Sequence, residues 1–160
     1  MTQPFRIDML DGAADLDAVE EVDRLSFPAP WTRAMYEEEL RHAGTAFIIV
    51  LRTASSSVAG YCSYRLIVDE LQVNNVAVRP EHRGKGYGRA LVQSALDHGR
   101  AAGARTALLE VRRSNLAAQR LYRRLGFVQI GDRPRYYRHP EEDALVLARD
   151  VRILERDPTA

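Results

Sequence analysis

Two kinds of hydrophobic pattern alternate along the 160 residues of the chain. Short runs rich in β-branched and aromatic residues are typical of strands, and longer stretches with an apolar residue every three or four positions are typical of helices. We expect strands at residues 5–9, 46–52, 59–68, 71–78, 106–111, 127–133 and 144–150, and helices at 15–25, 32–42, 89–102 and 114–125. This order, βααβββαβαββ, predicts an α/β (α+β) fold with a mixed central sheet of about seven strands flanked by four helices.

Capping residues mark several of the expected helix ends. Thr32 is a good N-cap for the second helix, and Gly103 and Gly126 suit the position just after a helix ends. The segment T-A-S-S-S-V at 53–58 is expected to form a hairpin loop. No repeat, low-complexity tract or linker interrupts the pattern, so we predict a single domain over residues 1–160 with its core at about 5–150.

The composition argues against several classes of protein. No stretch reaches the roughly 18 apolar residues of a membrane span, and residues 1–10 lack a signal-peptide pattern, so we expect a cytoplasmic protein without a membrane partner. Cys62 is the single cysteine, which excludes an intrachain disulfide framework. The four histidines show no ligand spacing with it, so we predict no metal site.

Charge is distributed unevenly although the formal net charge is only +1. Residues 1–45 hold 10 acidic and 4 basic side chains, a balance of −6, whereas residues 79–124 hold 3 acidic and 11 basic side chains, a balance of +8. The basic half suits a polyphosphate ligand. It has little aromatic interleaving for base stacking, so no nucleic-acid partner is expected.

Three alternating glycines, Gly84, Gly86 and Gly88, lie between the strand predicted at 71–78 and the next helix. Such glycines let the backbone approach a ligand closely, and a helix N-terminus favours an anion, so this turn is expected to hold phosphate. A dinucleotide fingerprint would need glycine where Arg89 stands, and a P-loop would need Ser or Thr directly after Lys85. An ordinary strand-to-helix turn would need fewer glycines, so we interpret the segment as a phosphate-binding loop of another kind.

A second cluster of chemically useful residues follows between 108 and 127. In strand alternation Glu110 shares a face with Leu108, and partial desolvation there would raise the pKa of its carboxyl toward neutrality, which suits a general base. Asn115 and Tyr122 are seven residues apart and therefore share one face of the last helix. Taken singly, Glu110 could equally form a salt bridge with a neighbouring arginine, and Tyr122 could be a core aromatic.

The motifs resemble those of a known enzyme family. Arg83-x-x-Gly86-x-Gly88 resembles the pyrophosphate loop of the GNAT superfamily of acetyl-coenzyme A-dependent N-acetyltransferases, and the predicted element order is similar over about residues 5–150. The strings E-V-R-x-S-N and L-Y-x-x-L-G-F at 110–127, F-P-x-P-W at 27–31 and R-Y-Y at 135–137 resemble one branch, the bacterial ribosomal-protein-alanine N-acetyltransferases. Arg135 stands where that branch more often has Asn.

The resemblance implies a role for each matching residue. Glu110 would be the general base and Tyr122 the general acid. The acetyl-coenzyme A site would comprise the backbone of Val76, Ala77 and Val78 for the acetyl-pantetheine arm, the loop residues Arg83, Gly84, Lys85, Gly86, Tyr87, Gly88 and Arg89 for the pyrophosphate, and Asn115 for the pantetheine. The acceptor would contact Phe27, Trp31, Tyr136 and Tyr137.

The resemblance implies transfer of an acetyl group to a protein N-terminal α-amine, with alanine of a small-subunit ribosomal protein as the expected acceptor. If the acidic segments 15–23 and 37–39 line the acceptor groove, they would attract a basic peptide. Two alternatives remain open at this point. One is acetylation of a lysine side chain or a small-molecule amine, and the other is a non-catalytic module that binds acyl-coenzyme A or RNA.

Overall fold

The computed structural model describes residues 4–153. Its strands and helices occur in the predicted order, so the expected fold class is confirmed. In chain order the elements are β1 (Phe5–Met9), α1 (Gly12–Ser26), α2 (Arg33–Leu40), β2 (Ala46–Thr53), β3 (Gly60–Ile67), β4 (Glu70–Val78), a 3₁₀ turn (Pro80–His82), α3 (Tyr87–Ala101), β5 (Thr106–Arg112), α4 (Leu116–Arg124), β6 (Val128–Arg138) and β7 (Glu141–Asp150).

Helix ends follow the capping residues of the sequence. The Thr32 hydroxyl accepts a hydrogen bond from Met35 N at 3.3 Å at the start of α2. Gly103 and Gly126 adopt φ angles of +94° and +87° just beyond α3 and α4, where a side chain would be strained. Strands β6 and β7 are longer than expected, because the chain forms a hairpin that continues through Arg138 and Glu141.

The seven strands form one mixed sheet in the order β1-β2-β3-β4-β5-β7-β6. All neighbouring strands are antiparallel except β4 and β5, which are parallel. Helices α1 and α2 cover one face, where Val19, Tyr36 and Tyr61 belong to one buried cluster. Helices α3 and α4 cover the other face, where Leu91 and Leu125 belong to a larger one. The sheet therefore separates two layers of helices.

Strand β4 carries a β-bulge in its middle. Ser63 pairs with Asn75 and the next residue of β3, Tyr64, pairs with Val73, so Asn74 is the extra residue. A bulge shifts the two-residue alternation of a strand. As a result Val76 and Val78 pack with the α3/α4 cluster, as Val73 does, whereas Ala77 packs with the α1/α2 cluster.

The sheet opens between β4 and β5 just beyond this bulge. The two strands pair from Glu70↔Thr106 to Val73↔Leu109, and β5 then continues to Arg112 paired with β7. The second half of β4 stays paired with β3. The opening lies between residues 74–78 of β4 and residues 110–112 of β5, the two segments that the sequence singled out for chemistry.

Candidate active site

A cleft on the α3/α4 face contains nearly all of the residues predicted to bind the acetyl donor. The end of β4, the glycine loop and the first turn of α3 form one wall, and α4 forms the other. Its lining includes Val76, Ala77, Val78, Arg83, Gly84, Gly86, Tyr87, Gly88, Arg89 and Asn115. Lys85 is the one predicted member that is not among the described residues lining this cleft.

The three glycines of this loop differ in backbone conformation and in the atoms that surround them. Gly84 and Gly86 have φ angles of +77° and +81°, and a Cβ at either position would have no neighbouring atom within 4 Å. Both are therefore required by backbone conformation, and their outer side is open space that a ligand can approach. Gly88 differs from both, since a Cβ there would be in ordinary van der Waals contact with the Leu121 side chain of α4, at 3.4 Å.

The start of α3 faces the same cleft. Gly86 is the N-cap, and its carbonyl accepts the Ala90 N–H at 3.1 Å. The first-turn N–H groups of an α-helix have no intrahelical acceptor, and the helix dipole is positive at this end. The loop and helix start therefore form a cradle that fits a diphosphate.

The Arg83 side chain braces the loop instead of projecting into it. Its Nε donates to the carbonyl of Val78 at 2.9 Å, and one terminal nitrogen donates to the Ser26 hydroxyl at 3.3 Å. Arg83 thus ties the end of β4 and the end of α1 to the loop. This contact explains why an arginine precedes the glycines.

Asn115 has a structural role that the sequence analysis missed. It is the N-cap of α4, and its Oδ1 accepts the Ala118 N–H at 3.2 Å. It nevertheless lines the cleft, as predicted. Arg120 and Arg124, one helical turn apart on α4, line the same cleft and were not predicted. Their spacing of four residues within a helix was the available signal.

A second cleft, of about 500 Å³, opens on the α1/α2 face of the sheet. All four residues predicted to contact the acceptor line it, together with the predicted base and several polar side chains: Phe27, Trp31, Tyr136, Tyr137, Glu110, Asn74 and Asn75. Phe27 lines both clefts, so the two adjoin beside this residue. The structure therefore brings the predicted donor and acceptor residues to one opening in the sheet.

Glu110 lies on the wall of this second cleft. Its neighbours Leu109 and Val111 are buried on the opposite face, so its side chain points toward α1 and α2 and is 30% exposed. Leu108 shares its face, as predicted. Glu110 Oε1 lies 3.7 Å from Nε of Arg133, so the alternative ion pair is also present. A half-buried carboxylate beside one exposed cation remains accessible to an amine in the cleft.

Tyr122 is buried on the other side of the sheet, within the α3/α4 cluster, and is 6% exposed. Its ring packs edge-on against Phe127, with the ring centroids 5.7 Å apart. Burial, with smaller contributions from Cys62 and Tyr137, holds the pKa of the Tyr122 hydroxyl well above its usual range. The hydroxyl therefore keeps its proton at neutral pH and is available as a hydrogen-bond donor.

The acidic residues of α1 and α2, except Asp23, pair with arginines. Arg52 binds both carboxylate oxygens of Asp15, at 2.8 and 2.7 Å, and Arg33 contacts Asp17 and Glu20. Of the two acidic segments only Asp23 and Glu39 line the acceptor cleft. Together with Glu110 they face an equal number of arginines there, namely Arg65, Arg112 and Arg138. The lining thus carries no excess of negative charge.

Among residues 4–153 no group of three or more His, Cys, Asp or Glu side chains is arranged to hold a metal ion. Within the same range no helix is long and apolar enough to cross a membrane. Cys62 is fully buried in the α3/α4 cluster, and burial raises the pKa of its thiol to about 12. The thiol is therefore inert as a nucleophile.

The fold and the two adjoining clefts define an acyltransferase, and comparison with known proteins identifies the family. Residues 16–127 match the acetyltransferase (GNAT) family, and the chain belongs to it. It is an acetyl-coenzyme A-dependent N-acetyltransferase, so the alternative of a non-catalytic binding module no longer stands. The glycine cradle described above fits the diphosphate of that donor.

Relatives within the family point to one branch. The [ribosomal protein bS18]-alanine N-acetyltransferase of Escherichia coli K12 is 31% identical over 136 residues, which are 84% of this chain and 90% of that protein. A Bacillus subtilis relative, 38% identical over 83% of this chain and 87% of its own length, carries the same name provisionally. The crystal structure of the Escherichia coli ribosomal-protein-S18-alanine N-acetyltransferase superposes with a TM-score of 0.84 and 28% identity, covering 96% of this chain and 98% of the other.

Proposed function

We propose that this enzyme acetylates the N-terminal α-amine of a protein, and that the acceptor is the N-terminal alanine of a small-subunit ribosomal protein. The observation that carries the proposal is the meeting of the two clefts at the β4–β5 opening. Phe27 lines both clefts, and Glu110 lies on the acceptor side. The names of the relatives described above support the identity of the acceptor.

The chemistry of the cleft favours an α-amine over a lysine side chain. An α-ammonium group has a pKa of about 7.7–8.0, whereas the lysine ammonium has a pKa of about 10.4. A single carboxylate removes the proton from the α-ammonium far more readily. The cleft contains Glu110 as a candidate for this carboxylate, and the aromatic residues Trp31 and Tyr137 also line it.

In the proposed mechanism Glu110 accepts the proton of the acceptor ammonium, directly or through a water molecule. Acetyl-coenzyme A, when bound, supplies the acetyl group as a thioester. The neutral amine attacks the thioester carbonyl, and a β4 backbone N–H, proposed to be that of Val76, stabilises the negative charge that develops on the oxygen. The C–S bond then breaks, the Tyr122 hydroxyl gives its proton to the departing thiolate, and the second proton lost by the nitrogen returns through water to the tyrosinate. No covalent enzyme intermediate is needed, in agreement with the buried Cys62.

The acceptor is tested by incubating the purified enzyme and acetyl-coenzyme A with ribosomal proteins, and then with short peptides, followed by mass spectrometry. A peptide that begins with alanine is compared with the same peptide blocked at its N-terminus and carrying a free lysine. We expect acetylation of the first and not of the second. Modification of the blocked peptide at its lysine would contradict the proposal.

The role of Tyr122 is tested by Tyr122→Phe. Because the ring and its packing on Phe127 are kept, we expect the Kd for acetyl-coenzyme A to be unchanged and kcat to fall about 10²-fold or more. The matched control is Tyr64→Phe, which removes another buried hydroxyl of the same cluster. If Tyr122→Phe turns over as fast as this control, Tyr122 is not the acid.

A further inference from the structure

The loop between α1 and α2 forms one wall of the acceptor cleft. It runs through Phe27, Pro28, Ala29, Pro30 and Trp31, and all of these except Pro30 line the cleft. Neither proline has a backbone N–H to donate, so this short segment has few hydrogen bonds with which to hold its own shape. Its position must be fixed from outside.

Asp23, in the last turns of α1, holds both ends of this loop. Its backbone carbonyl accepts the Phe27 N–H at 3.0 Å, and its Oδ2 accepts the Trp31 N–H at 2.7 Å. Its other carboxylate oxygen, Oδ1, accepts the Tyr61 hydroxyl at 2.6 Å. One residue therefore joins the first and last residues of the loop to β3 in the sheet.

The contacts around Asp23 close into a ring. The Tyr36 hydroxyl lies 3.3 Å from that of Tyr61, and the Tyr36 ring packs against Trp31 with the centroids 5.2 Å apart. Asp23 is only 1% exposed, and no ion pair joins its carboxylate to a cation in residues 4–153. A buried carboxylate held by neutral donors is costly, and it persists only where its hydrogen bonds hold the surroundings in place.

We infer that Asp23 is a positioning residue that fixes the acceptor-facing loop and thereby sets which N-terminal residue the enzyme accepts. The inference rests on the proposed function, since it takes the second cleft to be the acceptor site. Asp23 does not touch the acetyl donor, because the donor cleft lining does not include it. Removal of its side chain should therefore affect binding of the acceptor more than binding of the donor.

The first test uses Trp31, the single tryptophan of the chain, as a reporter of the loop. In Asp23→Ala the loop loses its side-chain anchor, so tryptophan emission shifts to longer wavelength and acrylamide quenching rises at least twofold, at unchanged far-ultraviolet circular dichroism. Asp23→Asn keeps one accepting oxygen for the Trp31 N–H and a group that pairs with Tyr61, so it restores wild-type fluorescence. This measurement needs no acceptor. It therefore tests whether Asp23 anchors the loop even if the proposed function is wrong.

The second test is kinetic. For Asp23→Ala we expect KM for an alanine-initiated peptide to rise at least tenfold, discrimination between alanine and larger first residues to fall at least fivefold, and KM for acetyl-coenzyme A to stay constant. Tyr36→Phe leaves the Trp31 and Tyr61 hydrogen bonds to the Asp23 carboxylate intact and serves as the matched control. If Asp23→Ala fails to fold, Tyr61→Phe removes one of the two carboxylate contacts and should raise the peptide KM about threefold. Equal rises of both KM values, or a defect in Asp23→Asn as large as in Asp23→Ala, would overturn the inference.

Discussion

Glu110, on the wall of the acceptor cleft, forms an ion pair with Arg133, with 3.7 Å between Glu110 Oε1 and Arg133 Nε. The arginine is 58% exposed, so water screens most of this attraction. The carboxylate therefore stays available for exchange of a proton with a bound amine. Glu110 can therefore form this ion pair and still act as the proposed general base.

The contributions of Glu110 and Arg133 to kcat can be measured separately. Glu110→Gln removes the proton acceptor, so kcat should fall by about 10²–10⁴-fold. Arg133→Gln removes only an exposed pair that contributes about 1 kcal/mol or less, so kcat should change by about fivefold at most. Steady-state kinetics with an alanine-initiated peptide check both. A similar loss in the two variants would show that Glu110 acts through its ion pair and not as a base.

The glycine loop offers a matched pair of substitutions. Gly86→Ala places a side chain at a φ of +81°, which costs about 1–2 kcal/mol although no atom blocks the Cβ. The loop should rearrange, and affinity for coenzyme A should fall at least tenfold by calorimetry. Gly131→Ala also meets no atom within 4 Å and lies outside the positive-φ glycines, so affinity should not change. Equal affinity in both variants would remove the loop from the donor site.

Arg135 is a position where the chain can be stabilised. It adopts a φ of +54°, a conformation in which Asn is favoured among non-glycine residues. Arg135→Asn keeps the backbone N–H that donates to Asp143 at 2.9 Å, so the free energy of unfolding should rise by about 0.5–1 kcal/mol in urea denaturation. Arg135→Lys retains the unfavourable conformation and should bring no gain. If the lysine variant gains as much as the asparagine variant, backbone conformation is not the cause.

Buried tyrosines make the fold sensitive to alkaline pH. Burial raises the pKa of Tyr36, Tyr61, Tyr64 and Tyr122, and that of Tyr137 to about 12. An unfolded tyrosine has a pKa of about 10, so above that pH the unfolded chain loses protons that the native chain retains. Stability is therefore unaffected by these groups below about pH 10 and falls above it, by up to about 1.4 kcal/mol per pH unit for each group.

Urea denaturation between pH 8 and 11, with absorbance at 295 nm to follow tyrosinate, checks this dependence. We expect these tyrosines to ionise only as the protein unfolds, and Tyr64→Phe to reduce the slope of stability against pH. Ionisation of all seven tyrosines near pH 10 in a chain that is still folded would contradict the assignment.

The order and type of the elements follow from hydrophobic periodicity, whereas the faces of β4 do not. Simple alternation would place residue 75 on the same face as Val73, but the bulge at Asn74 reverses the pattern for the rest of the strand. A bulge depends on the partner strand, which no local pattern reveals. The extent of β6 was missed for a similar reason, since Arg135 and its neighbours interrupt the pairing with β7.

Within the candidate site, motif spacing located Glu110 and the glycine loop. The same reasoning could not reveal that Asn115 also caps α4 or that Asp23 holds a loop whose end is eight residues further on. Both facts depend on backbone directions fixed by tertiary packing. Asp23 in particular lies among acidic residues that look alike in the sequence. It differs from the other buried ones, Asp15 and Glu39, because neutral donors and not an arginine hold its carboxylate.

The separation of β4 from β5 leaves an opening in the sheet that connects its two faces. Glu110 lines the acceptor cleft on one side of the sheet and the glycine loop lines the cleft on the other, so in the proposed reaction the amine and the thioester approach from separate directions. Each product can leave through the cleft by which its substrate entered, independently of the other product. Such an arrangement allows both reactants to be held simultaneously, and it predicts sequential, ternary-complex kinetics.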